Sequence, residues 1–142
     1  MSDELYNQDL LALAADVAQP SHLENPDIVE TAHSAVCGSQ VTVELQIDKN
    51  NQTVSDFGYE VEACALTKTV LAIMKTTIIG QNFQQIMVAG ERLQRLLDED
   101  ETVLAENWGV WEPLKIMETA QDYTMRHHSI TLPFAAMQNI SN

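Results

Sequence analysis

Two stretches of alternating side chains, separated by a short polar segment, constrain the fold of this chain more than any other feature. Apolar residues occupy every second position from Val41 to Ile47 and again from Phe57 to Ala63. A period of two is typical of half-buried β-strands. The five residues 48–52, Asp-Lys-Asn-Asn-Gln, are good turn formers. The sequence therefore predicts that the two strands fold back as an antiparallel hairpin.

The two cysteines of the chain each lie beside one of these strands. Cys37 opens a Cys-Gly-Ser-Gln turn before the first strand, and Cys64 follows the second strand at the start of a helical pattern. An antiparallel hairpin brings the end of its second strand next to the start of its first. Both thiols are therefore expected at the same end of one sheet, where they are candidate ligands of one site.

Helical periodicity follows the hairpin. Apolar spacing of three and four residues predicts a helix from Cys64 to Gly80 and another that is capped by Asn82 and runs to Leu97. The acidic residues 98–101 are unfavourable at a helix C-terminus and predict the exit into a loop. Before the hairpin, the sequence predicts a helix from about Asp3 to Ala18 and an edge strand over about residues 30–35.

The C-terminal part of the chain predicts two more helical pieces. One follows Trp108, Trp111 and Pro113. The last helix starts shortly before Pro133, because proline is tolerated in the first turn of a helix. This places His127, His128 and Ser129 at a helix N-terminus. Strands first and helices afterwards predict an α+β fold, with a small antiparallel three-stranded sheet covered by helices.

Length and composition limit the possible functions. The 142 residues, 45% hydrophobic and 20% charged, are expected to form one domain over residues 1–142 with a sizeable core. Seven Lys and Arg residues and a net charge of -14 argue against nucleic acid as a partner. The acidity is explained either by a solvated surface or by attraction to a basic partner or to cations.

The same composition bears on the compartment. The longest apolar stretches are far shorter than the roughly 18 residues that a membrane span requires. Asp3 and Glu4 stand where a signal peptide needs positive charge, so the expected location is the cytoplasm. Thiols are kept reduced there, which makes a disulfide between the two cysteines unfavourable.

The residue types suggest a metal site. The dipole of the following helix stabilises a thiolate at Cys64, although a small buried side chain between strand and helix is the alternative interpretation. Adjacent residues at a helix start point in different directions, so at most one of His127 and His128 is expected to face a given metal. Two thiolates and one imidazole suit zinc or iron. Ser129, a carboxylate, water or an exogenous thiolate would then complete four ligands.

Three segments of the sequence carry a resemblance to a known family. They are His-Ser-Ala-Val-Cys-Gly-Ser at 33–39, Val-Glu-Ala-Cys-Ala-Leu at 61–66 and Arg-His-His-Ser-Ile-Thr-Leu-Pro-Phe at 126–134. The chain resembles, over nearly its whole length, the iron-sulfur cluster assembly scaffolds of the IscU, SufU and NifU N-terminal type. The resemblance implies their fold and a site that binds a [2Fe-2S] cluster or zinc. No Leu-Pro-Pro-Val-Lys chaperone-binding motif of the family is present.

The resemblance also assigns residues. Cys37 and Cys64 correspond to the first two ligand cysteines, and His128 to the histidine that precedes the third. The chain departs from the family at two positions: Ser129 stands where the third cysteine is expected, and Ser39 stands where an aspartate linked to cluster lability is expected. A serine oxygen holds iron less well than a thiolate does. Ser129 and Ser39 are therefore possible fourth-ligand or tuning positions.

The implied function is that of a carrier and not of an enzyme. The chain would bind iron or a [2Fe-2S] cluster transiently, with a cysteine desulfurase and iron-sulfur acceptor proteins as partners. Two alternatives follow from the same resemblance. One is a zinc-bound sulfur-transfer partner of a cysteine desulfurase, and the other is a divergent adaptor without stable metal. No acid-base pair, catalytic triad or phosphate-binding glycine loop points to a hydrolase or a nucleotide-binding protein.

Overall fold

The structure, a computed structural model, describes residues 8–35 and 38–141. The regular elements of these residues are three strands, five α-helices and three 3-10 segments. In chain order they are α1 (Gln8–Ala15), β1 (Ile28–His33), β2 (Gln40–Asp48), β3 (Thr53–Glu62), α2 (Ala65–Thr77), α3 (Phe83–Leu97), a 3-10 turn (Val103–Ala105), a longer 3-10 helix (Gly109–Ala120), a second 3-10 turn (Thr124–Arg126), α4 (His127–Ile130) and α5 (Leu132–Ser141).

The sheet confirms the predicted hairpin. Its strand order is β1-β2-β3, and both pairs are antiparallel. Gln40 pairs with Glu62 at one end of the hairpin and Asp48 with Thr53 at the other, with one shift of register between Gln46 and Ile47. The edge strand is β1, which begins two residues before the predicted start. The α+β class and the three-stranded antiparallel sheet are therefore confirmed.

The core lies between one face of the sheet and the helices. Val41, Val43 and Leu45 of β2 are fully buried on this face, as the alternating pattern predicts. Helix α2 is buried along most of its length, with α1 on one side of it, and α5 packs on β1 and β2. Burial of these apolar side chains is the main favourable term that holds the helices on the sheet.

A strap, residues 20–27, crosses the opposite face of the sheet. Ser21 exchanges two backbone hydrogen bonds with Tyr59, of 3.0 and 2.8 Å, and the strap ends where the Asp27 N–H donates to the Leu45 carbonyl at 2.8 Å. Gly58 makes this close approach possible. A Cβ atom at residue 58 would lie 2.7 Å from the Ser21 carbonyl oxygen, a contact that real Cβ atoms do not show.

A histidine fastens the strap to the sheet. The His22 imidazole contacts the carboxylates of Glu44 and Glu60, and the Leu23 N–H donates to the other oxygen of Glu44 at 2.7 Å. Glu44 is buried, whereas Glu60 is exposed. We call His22, Glu44 and Glu60 the clasp. It joins the strap to two strands through charged groups.

The helices before residue 98 agree with the sequence in most respects. Helix α1 ends at Ala15 and not at Ala18, and its predicted start lies outside the described residues. Cys64 is the N-cap of α2. Asn82 caps α3 in a capping box, in which its side chain accepts from the Gln85 N–H and the Gln85 side chain accepts from the Asn82 N–H, both at 2.8 Å.

The acidic run ends α3, as predicted. Asp98 is the C-cap residue of the helix. The Arg95 side chain turns back to bind Asp100 and Glu106, which ties the following loop to the last turn of α3. Hydrogen bonds from Thr102 and Arg95 lower the pKa of Asp100 to about 2.

Two predictions for the C-terminal part were wrong. Trp111 and Pro113 lie inside the 3-10 helix Gly109–Ala120 and do not precede it. Its buried residues recur at every third position, at 111, 114, 117 and 120, which matches the three residues per turn of a 3-10 helix. The last helix does begin just before Pro133, but His127, His128 and Ser129 are not in its first turn, because they form the separate one-turn helix α4.

None of the helices in the described part of the chain combines the length and the apolar character that crossing a membrane requires.

Candidate functional site

A cavity of about 550 Å³ lies at the end of the sheet where β2 begins and β3 ends. It is the place to which the sequence assigns the cysteine-bearing segments. The residues that line it come from the loop before β2, the end of β3, the start of α2 and the segment around α4. They are Gly38, Ser39, Glu62, Ala63, Cys64, Met125, Arg126 and Ser129.

Cys64 reaches this cavity from the N-cap position of α2. Its backbone is extended, with φ -72° and ψ 169°, and its side chain makes no capping hydrogen bond. The thiol is free and half-buried. Since the first N–H groups of a helix lack partners within it, a negatively charged group at this position is stabilised by the N-terminal end of α2.

The loop between β1 and β2 forms the opposite wall. The Ser34 N–H donates to the Ser39 carbonyl at 2.8 Å, and the Gly38 N–H donates to the Ser34 carbonyl at 2.9 Å. Gly38 has a φ of +73°, a conformation that favours glycine. Cys37 lies outside the described residues, so the closeness of its thiol to that of Cys64 stays a prediction. Gly38 and Ser39, which follow Cys37 directly, line the same cavity as Cys64.

Buried hydroxyl groups join the walls of the cavity. The Ser129 hydroxyl donates to the Ser39 hydroxyl at 3.1 Å, and the Thr67 hydroxyl donates to the Ser129 carbonyl at 3.0 Å. Ser34, Ser39, Thr67 and Ser129 are all buried. We call these four residues the hydroxyl cluster. It connects the loop before β2, the first turn of α2 and helix α4 without any formal charge.

The two adjacent histidines bind different partners. The His128 imidazole is exposed, and its Nδ1 lies 3.1 Å from the Ser34 hydroxyl. The His127 imidazole is half-buried, and its Nε2 lies 3.0 Å from the Ala120 carbonyl. A carbonyl only accepts, so that nitrogen of His127 carries a proton. His128 does not line the cavity, whereas its neighbour Ser129 does.

Within residues 8–35 and 38–141, no three His, Cys, Asp or Glu side chains are arranged closely enough to hold a metal ion. This range contains two of the predicted ligands, Cys64 and His128, together with the two serines at the tuning positions. The third predicted ligand, Cys37, lies outside it. The full ligand set therefore stays a prediction.

Comparison with known proteins identifies the family. The sequence model of the protein family described as the NifU-like N terminal domain matches residues 6–127 of this chain. The chain belongs to this family. A search of the curated proteins gave no match.

Solved structures agree with the NifU-like fold. The chain is 33% identical to the N-terminal part of a nitrogen-fixing NifU-like protein from Brucella abortus, with a TM-score of 0.86, over 97% of this chain and 92% of that one. It is 20% identical to a candidate iron-sulfur cluster assembly scaffold protein for the SUF system from Fervidobacterium islandicum, with a TM-score of 0.81, over 98% of each chain. At that identity, the second similarity shows the fold alone.

Sequence reasoning missed three of the residues that line the cavity of this NifU-like domain. Glu62 and Arg126 bring a carboxylate and a guanidinium to its walls, and Met125 is 82% exposed beside it. The available signal was position: Glu62 lies two residues before Cys64, and Met125 and Arg126 lead directly into α4. Their side-chain types alone are common on protein surfaces.

Proposed function

We propose that this NifU-like domain is an iron-sulfur cluster assembly scaffold-like protein. It binds iron or a [2Fe-2S] cluster transiently through Cys37, Cys64 and His128 and passes it to acceptor proteins in the cytoplasm. The sulfur comes from a cysteine desulfurase, and the domain itself is a carrier and not an enzyme. The cluster is thus its cargo. One observation carries the proposal: the loop residues that follow Cys37 line the same cavity as the Cys64 thiol.

The chemistry of the Cys64 position supports this function. Thiolates are the protein ligands that iron-sulfur clusters and zinc prefer. The N-terminal end of α2 stabilises the negative charge of a thiolate or of a thiolate-bound cluster. Met125 lines the cavity beside the thiol and is itself exposed to solvent, so cargo can enter and leave without unfolding of the core.

His128 is a suitable third ligand for a physical reason. A metal-binding histidine usually donates its other ring N–H to an oxygen, which fixes the ring and the tautomer. The Ser34 hydroxyl lies 3.1 Å from Nδ1 of His128 and supplies such an oxygen. Nε2 then carries the lone pair that binds the metal. In this proposal His127 has a structural role, because its Nε2 is engaged by the Ala120 carbonyl.

The alternative function is a zinc-bound sulfur-transfer partner of a cysteine desulfurase. The observation that favours it is the hydrogen bond between the Ser129 and Ser39 hydroxyls, which gives this wall of the cavity oxygen atoms instead of a thiolate. Zinc accepts sulfur, nitrogen and oxygen ligands in a tetrahedral site, whereas iron-sulfur clusters depend on thiolates. A domain that has lost stable metal binding and acts as an adaptor is the third outcome.

Anaerobic elemental analysis separates these functions. The protein is purified without oxygen, and iron, zinc and acid-labile sulfide are measured per chain in the parent and in Cys64→Ala. Iron with equal sulfide supports the scaffold, and zinc alone supports sulfur transfer. In both cases Cys64→Ala is expected to lose the metal while its circular dichroism spectrum stays unchanged, because Cys64 is only half-buried and packs at the edge of the core. Equal metal content in parent and variant would contradict both.

A further inference from the structure

The Thr67 hydroxyl stands between the Cys64 sulfur and helix α4. Thr67 is fully buried in the first turn of α2. Its Oγ1 lies 3.6 Å from Sγ of Cys64 and 3.0 Å from the carbonyl oxygen of Ser129. No water is needed to satisfy it, since two protein atoms are within hydrogen-bonding distance.

One proton has to serve these two contacts. A hydroxyl carries one hydrogen and two lone pairs, and a carbonyl oxygen only accepts. The Thr67 proton is therefore donated to Ser129, and a lone pair of Oγ1 faces the sulfur. A thiol suits this arrangement, because its S–H can donate to that lone pair.

A metal-bound sulfur does not suit it. Metal binding displaces the thiol proton to solvent, and the sulfur then has only lone pairs to offer. Two sets of lone pairs would face each other at 3.6 Å in a buried place, which costs free energy unless the hydroxyl turns. When it turns, the sulfur gains a donor and the Ser129 carbonyl loses one.

We propose that Thr67 is a positioning residue that couples metal loading of Cys64 to helix α4. Its hydroxyl donates to the Ser129 carbonyl while Cys64 is a thiol, and to the sulfur once a metal is bound. No covalent bond changes at Thr67, since its O–H only rotates. The role for zinc or iron rests on the proposed function. The rotation itself requires only a metal on the sulfur.

The consequence concerns the other wall of the cavity. Ser129 also donates to Ser39, and His128 precedes it on the same helical turn. Loading of Cys64 would release one of the ties that hold this turn. Helix α4 would then be freer to bring His128 towards the metal or to release it.

Thr69 provides a matched control. It is fully buried one half-turn further along α2, and its hydroxyl binds the carbonyls of Leu10 and Ala65 instead of the sulfur. Thr67→Val and Thr69→Val remove the same group from the same helix. Thr67→Ser keeps the hydroxyl and is expected to behave like the parent.

The first measurement uses the protein without metal. The carbon-13 chemical shift of the Ser129 carbonyl reports its hydrogen bond. It should move upfield in Thr67→Val and stay at the parent value in Thr67→Ser and Thr69→Val. A shift that is the same in the parent and in Thr67→Val would overturn the proposal at its first step.

The second measurement adds methylmercury, which binds a single thiolate, to these proteins in a Cys37→Ser background. In the Cys37→Ser protein that keeps Thr67, the carbon-13 shift of the Ser129 carbonyl should move to the value measured for Thr67→Val. In Thr67→Val it should not change. This measurement does not depend on the proposed function, because methylmercury needs no further ligand. If the carbon-13 shift of the Ser129 carbonyl does not change when methylmercury is added, the Thr67 hydroxyl does not turn and the proposal is overturned.

The third measurement is zinc affinity of the chain with both cysteines. Loss of a residue that orients a metal ligand typically costs tenfold or more in affinity. Thr67→Val is therefore expected to bind zinc about tenfold more weakly, and Thr67→Ser and Thr69→Val like the parent. If the parent binds no zinc or iron at Cys64, the proposed function fails while the methylmercury result still decides the role of Thr67. Equal zinc affinity of Thr67→Val and the parent would overturn the positioning role.

Discussion

The clasp and the hydroxyl cluster solve the same structural problem with different chemistry. Each joins a segment without regular structure to the elements beside it. The clasp does so with an imidazole and two carboxylates on the outer face of the sheet, and the hydroxyl cluster with neutral groups at the cavity. Charged groups form strong pairs, but they also change the electrostatic potential around them. Neutral hydroxyls hold the walls of the cavity in place and add no charge of their own beside the Cys64 sulfur.

The charges of the clasp show in its pKa values. The hydrogen bond to Glu44 raises the pKa of His22 above its ordinary value, and Glu60 adds to this. Burial acts to raise the pKa of Glu44, but the hydrogen bonds from His22 and from the Leu23 N–H outweigh it, so that the pKa of Glu44 is lowered. Both shifts favour the charged pair.

The largest expected effect is a loss of stability when the contact between the strap and the sheet is disturbed. Gly58→Ala places a methyl group 2.7 Å from the Ser21 carbonyl oxygen and 3.0 Å from Oε1 of Glu44. Overpacking of this kind typically costs 1–3 kcal/mol, so we expect a loss of about 2 kcal/mol in the free energy of unfolding. Urea denaturation measures it, with Ser55→Ala at an exposed position of the same strand as control.

The same variant tests whether the two regions are independent. Metal content at the cavity should be unchanged in Gly58→Ala under conditions where the protein is folded, since the clasp holds the strap to the outer face of the sheet and the cavity lies at the end of the sheet. A loss of metal from the folded variant would show that the strap and the cavity are coupled.

A smaller effect, on metal binding, is expected from a substitution at the cavity. The Ser129 side chain lines the cavity at the position that the resemblance assigns to a third cysteine. Ser129→Cys adds a soft thiolate to the site, which favours iron-sulfur clusters and zinc. We expect about tenfold tighter zinc binding or a correspondingly longer cluster lifetime, equal to about 1.4 kcal/mol. Absorbance after anaerobic reconstitution, followed with a chelator present, measures the lifetime.

Ser39→Ala separates two explanations of that result. It removes the hydroxyl that accepts from Ser129 but adds no thiolate. If Ser39→Ala lengthens the lifetime as much as Ser129→Cys does, the gain comes from loosening the hydroxyl cluster and not from a new ligand. An unchanged lifetime in Ser129→Cys would mean that residue 129 does not face the metal.

The smallest effect concerns the pH dependence of the clasp. His22, with its raised pKa, contributes stability below about pH 6.5 and loses it as the pH rises through that raised value. Glu44, with its lowered pKa, contributes stability above about pH 4.5 and loses it as the pH falls through that lowered value. His22→Gln should therefore lower the free energy of unfolding most between about pH 4.5 and about pH 6.5. Urea midpoints of parent and variant that differ equally at pH 5.5 and pH 8.5 would contradict the charged pairing.

The sequence predicts those parts of the fold that local patterns determine. The hairpin follows from alternation along β2 and β3, and the start of α3 from Asn82 as a capping residue. The place of Cys64 follows from the change from period two to a helical period. These features depend on neighbours within a few residues, and all three agree with the structure.

What the sequence did not predict depends on contacts between distant residues. No residue near His22 in the sequence indicates that its side chain lies against Glu44 and Glu60. The strap can lie there only because Gly58, on a distant strand, has no Cβ atom. The 3-10 helix around Trp111 was missed because the sequence placed the start of the helix after Pro113. The apolar positions that remain, 114 and 117, are three residues apart, a spacing that also occurs on one face of an α-helix. Thr67 was missed as a site residue, because its contacts with Cys64 and Ser129 join two segments 62 residues apart.

X-ray absorption spectroscopy of the zinc-loaded or iron-loaded protein tests the central claim most directly, because it counts the atoms bound to the metal. For zinc, the account predicts two sulfur atoms at about 2.3 Å, from Cys37 and Cys64, and at least one imidazole nitrogen at about 2.0 Å. Cys64→Ala should leave at most one sulfur, and His128→Ala should lose the imidazole signal. A metal with no sulfur ligand, or a spectrum that Cys64→Ala leaves unchanged, would contradict it.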